Sequence, residues 1–142
     1  MSFKPNDKTF AEGLDRIKKV CDQLGLKTID KIITSKDSMV KDALKELEVT
    51  NIPDGFVKFQ LPVAFDGPTQ TYMSFGAPRA QVKTHSHDEG DGIRVIMFGS
   101  IIYNNQELTS GDWMFIPKGV PYNFEVGDMG VGVFYCYRCC CA

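Results

Sequence analysis

The sequence predicts a mainly β domain, a sandwich or small barrel, with a helical arm at its N-terminus. Three observations carry this. After Gly55 the chain breaks into short runs rich in β-branched and aromatic residues. Clusters of turn-forming residues separate those runs. Before Asn51 the apolar residues recur at helical spacing instead. A length of 142 residues suits one domain with a real core. We expect an arm over residues 1–50, packed on the barrel, and a barrel over 51–142.

In the arm, TFAE at Thr9 to Glu12 has the form of a capping box, with Thr9 as N-cap and Glu12 reaching back. Phe10, Leu14, Ile17, Cys21 and Leu24 then share one helical face. Gly25 is placed to end that helix, with Leu26 as the apolar follower. A second helix follows, capped by Asp37 or Ser38, with a stripe of Met39, Ala43, Leu44 and Leu47. Ile32 and Ile33 are read as a short turn or an extension. NIPDG at Asn51 to Gly55 breaks the pattern.

The β-rich runs are FVKFQLPVAF, MSFGAPRAQVKTHSH, IRVIMFGSIIY, DWMFIPKGVPYNF and VGVFYCYRC. Between them stand DGP, EGDG, NNQE, SGD and VGDMG, all turn chemistry. Strands this short and evenly spaced suit a sandwich or barrel. Met97, Phe98, Trp113 and Phe115 are expected to fill its core.

Composition excludes some functions. A net charge of -2 gives no basic surface for nucleic acid and no electrostatic membrane docking. No apolar run approaches the ~20 residues of a spanning helix. The polar start, MSFKPNDKTF, is not a secretory signal, so a cytoplasmic location is the expectation. Five cysteines, an odd number, do not make a secreted disulfide framework. Four of them, Cys136, Cys139, Cys140 and Cys141, crowd the end. Their spacing leaves open a soft-metal tail, a readily oxidised vicinal pair, or a strand end with some thiols buried.

Both histidines of the chain lie one residue apart, at His85 and His87. At i and i+2 on a strand they point to one face, so their rings can converge on one metal ion. A catalytic site would need a third ligand and an open position. Glu89, Asp91 and Tyr122 are the oxygen donors within reach.

Two motifs from residue 56 to 137 resemble those of the cupin family. In the first, His85-Ser-His87 is followed by four residues, then Gly92, then six residues and Gly99. In the second, Gly111, Pro117 and Gly119 keep the family's spacing, and Tyr122 and Val126 follow where the family has histidine and asparagine. The resemblance implies a double-stranded β-helix, the jelly-roll barrel. It also implies a metal held by His85 and His87. The family's glutamate position is Gly92, without a side chain, and its third histidine is Tyr122. Glu89 or Asp91 would have to compensate. The implied ion is a divalent transition metal, iron first, with zinc, manganese, nickel or copper as alternatives.

Strand parity adds Arg94. If position 92 faces inward, so does 94, and an inward arginine is costly unless paired. It either meets an acid such as Glu89 or Asp91, or holds a substrate carboxylate. Gln81, four before His85, has matching parity and is expected to line the same hollow. Tyr122 is read as a site residue or as a packed barrel residue.

These features predict a metal-dependent, dioxygenase-like enzyme acting on a small molecule, with Arg94 and Tyr122 as catalytic candidates. The alternative is a non-catalytic binding or sensor barrel that has lost the full metal site. A redox or metal-handling tail is a third reading. Open β edges need cover, which points to a homodimer.

Overall fold

The computed structural model describes residues 8–26, 29–65 and 67–138. They form two compact units.

The first unit holds the described residues of Met1–Ile29 together with Asp37–Ala64. Its helices are α1, Phe10–Gln23, and α2, Ser38–Glu46. Thr9 closes a reciprocal box with Glu12: the Glu12 N–H donates to Thr9 Oγ1 at 3.2 Å, and the Thr9 N–H to the Glu12 carboxylate at 2.6 Å. Gly25 has a φ of +72° and the Leu26 N–H donates to the Cys21 carbonyl at 2.8 Å. That is the left-handed close expected of a glycine at C′. The buried face is Val20, Cys21, Leu26, Ala43 and Leu47, with Ile17 and Leu24 against it. Phe10 and Leu14, expected on that face, are exposed, and so is Met39, whose place Val40 takes. Asp37 is the N-cap of α2, with extended backbone there. Arg16 donates to the carbonyls of Glu46, Leu47 and Glu48, where α2 runs out of internal donors.

FVKFQLPVAF, expected as a strand, makes one isolated bridge, Phe59 to Glu48. Its backbone is tied to the end of α2 by Val49 N–H to Lys58 and Gln60 N–H to Leu47, so it belongs to the helical unit. The expected boundary after residue 50 therefore moves to Ala64. Asp30–Lys36 goes the other way and joins the sheet.

The second unit is one antiparallel sheet of seven strands. They are β1 (Ile33–Thr34), β2 (Gln70–Gly76), β3 (Gln81–His85), β4 (Gly92–Tyr103), β5 (Gln106–Leu108), β6 (Trp113–Ile116) and β7 (Tyr122–Tyr137). The order is β1-β6-β4-β7-β2, with β3 on β7 and β5 on β4. Ile33, expected in a short turn or an extension, pairs with Phe115 of β6. The long central strands β4 and β7 pair along most of their length and wrap as a jelly roll whose sheet stays open. This is the predicted fold class.

Asn104 and Asn105 both have positive φ and make the two-residue turn between β4 and β5. Gly99 lets β4 turn sharply: its φ is +69°, and a Cβ there would lie 2.0 Å from the Gly130 carbonyl oxygen. The β4–β7 register slips between Ile96 and Phe98. The slip reverses side-chain parity. Ile96 is buried, while Phe98, expected in the core, lies outside, 51% exposed. Trp113 and Phe115 are buried as expected. VGDMG, read as a turn between strands, sits inside the continuous β7, where pairing passes from β3 to β2. The core is Ile96, Ile101, Leu108, Met114, Ile116, Val126, Val131 and Val133, continuous with Tyr122, Phe124 and Tyr137.

Candidate functional site

The site is assembled by the ends of β3, β4 and β7. His85 is the last residue of β3 and pairs with Tyr122, the first of β7. Cross-strand partners share a face, so the two rings lie side by side, 4.6 Å apart. His87 lies two residues beyond the strand, with its ring centroid 5.1 Å from that of His85. His85 stands exposed at the mouth, and His87 is buried. The histidine rings therefore converge. Gln81 does not join them. The β3–β7 register shifts between Val82 and His85, so Gln81 is exposed and Val82 lines the cavity.

Arg94 faces inward and is only 4% exposed. It has no carboxylate within ion-pair distance among the described residues. Asp91 is engaged elsewhere, where its carboxylate accepts the Lys118 N–H at 2.7 Å. Arg94 Nη2 donates instead to the Tyr122 hydroxyl at 2.9 Å and the Tyr137 hydroxyl at 3.0 Å. The guanidinium carbon sits 4.1 Å from the Tyr135 ring centre and 4.5 Å from that of Phe124. A desolvated cation–π contact contributes about 2 kcal/mol, and a hydrogen bond to a charged group about 1.5–3 kcal/mol. Burial works against the charge, but Tyr137, Tyr122 and Tyr135 outweigh it and hold the group above its ordinary pKa. Arg94 is thus a buried cation caged by tyrosines, with Nε left without a partner among the described residues.

The same burial pushes the Tyr122 hydroxyl far above its usual range, against the pull of Arg94, so it stays a neutral phenol. Its oxygen lies 3.0 Å from His87 Nε2. With Arg94 donating to that oxygen, the phenol proton is directed to the imidazole. We assign His87 as the acceptor through Nε2. Burial first, then His85 and Arg94, hold the His87 pKa below its ordinary value, so the ring is neutral at pH 7. His85 Nδ1 lies 2.8 Å from the Lys83 carbonyl, which can only accept, so this nitrogen carries the proton.

Gly92 stands opposite Tyr137 across the β4–β7 pair. A Cβ on Gly92 would lie 1.9 Å and 2.0 Å from two carbons of the Tyr137 ring. The place the cupin glutamate would leave from is therefore filled by an aromatic ring with no exposed surface. Tyr137 and Tyr135 were not singled out in the sequence. Their signal was the Y-x-Y alternation in VGVFYCYRC, which puts both on the face of Arg94.

The residues fit a metal poorly. Two imidazoles converge, but the described residues hold no group of three His, Cys, Asp or Glu side chains able to take an ion. Glu89 is exposed in the loop after His87 and does not complete such a group. His87 Nε2 is committed to Tyr122, Tyr122 is no phenolate, and a guanidinium bonds to the same phenol. Cys139, Cys140 and Cys141 of the tail lie outside the described residues. Cys136 donates to Thr69 Oγ1 at 3.1 Å.

What the walls do form is a cavity of about 320 Å³. Tyr72, Phe124, Tyr135 and Tyr137 supply rings, and Arg94 supplies a guanidinium.

No family model matches the chain, and no curated protein matches it. Among solved structures it is similar to a protein of unknown function with a cupin-like fold from Ralstonia eutropha, at 19% identity and a TM-score of 0.44. That match covers 49% of this chain and 46% of the other, so the chain spans less than half of that protein's length. It is similar to a cupin protein from Bacteroides fragilis at 16% identity and TM-score 0.42, over 81% and 82% of the two chains. A third is salicylate 1,2-dioxygenase from Pseudoaminobacter salicylatoxidans, at 13% identity and TM-score 0.42, over 87% of this chain and 31% of the enzyme. The fold stands on the strand order and register above: an open, antiparallel jelly roll. No described helix is long and apolar enough to cross a membrane.

Proposed function

We propose that the barrel is a small-molecule-binding module that works without a resident metal. The observation behind it is the Tyr137 ring over Gly92, which fills the space a metal-binding glutamate needs. A cavity of about 320 Å³ is at the small end of ligand pockets and matches a single-ring molecule. The aromatic walls supply apolar contact, and His87 and Arg94, joined through the Tyr122 hydroxyl, supply polar contact. The dioxygenase-like reading asks for a third ligand that the described residues do not bring to His85 and His87. Native mass spectrometry of the purified protein tests the proposal. We expect a bound organic molecule of single-ring size, or uptake of such a molecule from a small library. Failure to retain or take up any, with the fold intact, would refute it.

A homodimer remains our proposal for the assembly. β2 is the end of the sheet path, and Met73 and Phe75 on it are 62% and 65% exposed. Sedimentation at micromolar concentration should give twice the chain mass; a monomer would rule it out.

A further inference from the structure

We infer that the ligand of this cavity carries a carboxylate, and that Arg94 is its receptor. The inference rests on the binding reading above and names the chemistry of the ligand.

A guanidinium has five N–H donors. Among the described residues, the hydrogen bonds that leave Arg94 both start at Nη2, and Nε–H has no partner. The side chain is 4% exposed and yet lines the cavity. It is a buried cation with donors to spare, aimed into a hollow.

The surroundings select the kind of anion. The cavity lining contains no aspartate or glutamate. His87 Nε2 is taken up by the Tyr122 hydroxyl at 3.0 Å, and that hydroxyl accepts from Arg94. The Arg94 guanidinium brings one positive charge, which one negative charge matches. A phosphate monoester carries nearly two and would leave one of them uncompensated beside the buried guanidinium. A carboxylate matches the charge and the planar fork of an arginine. The Tyr135 and Phe124 rings flank the guanidinium, so an apolar body attached to the carboxylate meets ring surface beside it. The ligand class is therefore a small monocarboxylate with a flat apolar body. The Tyr122 and Tyr137 hydroxyls, both bonded to Nη2, fix the guanidinium plane.

The test uses three probes of one shape on the full-length protein: benzoate, benzamide and phenyl phosphate. Binding is read by calorimetry and by the fluorescence of Trp113, the single tryptophan. Benzoate is expected to bind about tenfold to a hundredfold more tightly than benzamide, the range a charged hydrogen bond supplies. Phenyl phosphate is expected to bind more weakly than benzoate. Arg94→Gln should remove the preference for benzoate over benzamide, and Arg94→Lys should keep part of it. If Arg94→Gln does not fold, the probe comparison in the native protein still decides. Equal binding of benzoate and benzamide would overturn the carboxylate and leave the binding module standing. Tighter binding of phenyl phosphate would overturn the choice of anion. Binding of none of the three would overturn this inference, while the native mass spectrum would still decide whether the cavity takes a ligand at all.

Discussion

Gly92→Ala is the sharpest perturbation of the site, because one methyl group reports what stands in front of it. The new Cβ would lie 1.9 Å from Tyr137 Cε1. Ordinary contact needs about 3.5 Å or more between carbons, so the ring must move by roughly 1.5 Å. It has nowhere easy to go. Tyr137 is fully buried, 4.7 Å from the His87 ring and 5.4 Å from the Tyr135 ring. Overpacking of this kind costs about 1–3 kcal/mol. Displacing the ring also strains the Arg94–Tyr137 hydrogen bond, which is of the charged class contributing about 1.5–3 kcal/mol. The sum is about 2.5–6 kcal/mol. For a chain of this size that lowers Tm by roughly 10–20 °C. Urea unfolding followed by Trp113 fluorescence measures it, since this buried tryptophan sits on β6 beside β4. In a Tyr137→Ala background the same Gly92→Ala change should cost less than about 0.5 kcal/mol, because its obstacle is gone. Similar costs in the two backgrounds, or a neutral single change, would mean that Tyr137 does not occupy the glutamate position.

Acid should act on the site through His87. Its folded pKa is depressed by burial, His85 and Arg94, so the folded state resists the proton that the unfolded chain accepts near 6.5. This contribution to stability is complete above that pH and is lost as pH falls below it. Tm between pH 7.5 and 5 should therefore drop further in the native protein than in His87→Asn; parallel curves would contradict it. Asp112 acts at lower pH. Burial raises its carboxyl, but the Thr109 N–H, the Ser35 hydroxyl and Lys36 outweigh this and lower it. Its contribution is present above about 3.8 and lost as pH falls through the lower folded value. Asp112→Asn should flatten the acid limb of the Tm curve below pH 4, and an unchanged limb would refute that.

Much of this was readable in the chain. Thr9, Glu12 and Gly25 mark α1 because capping is local chemistry between residues a few positions apart. Arg94 was placed inward by alternation from position 92, and no slip intervenes between them. Alternation failed where the register slipped. Phe98 turned outward after the irregularity beyond Ile96, and Gln81 gave its place to Val82 across the β3 shift. Such slips depend on the partner strand, which one strand's sequence does not contain. The filling of Gly92 was hidden for the same reason. Tyr137 lies 45 positions away in sequence, and only the β4–β7 register brings it opposite. FVKFQLPVAF has strand composition but is held by the end of α2, so pairing overrode propensity.

Elemental analysis of the untagged protein, expressed with iron and zinc supplied, tests the central claim most directly. The account predicts far less than one metal ion per chain, and the same trace content in a His85→Ala, His87→Ala double variant. One equivalent of a transition metal in the native protein, absent from that variant, would contradict it.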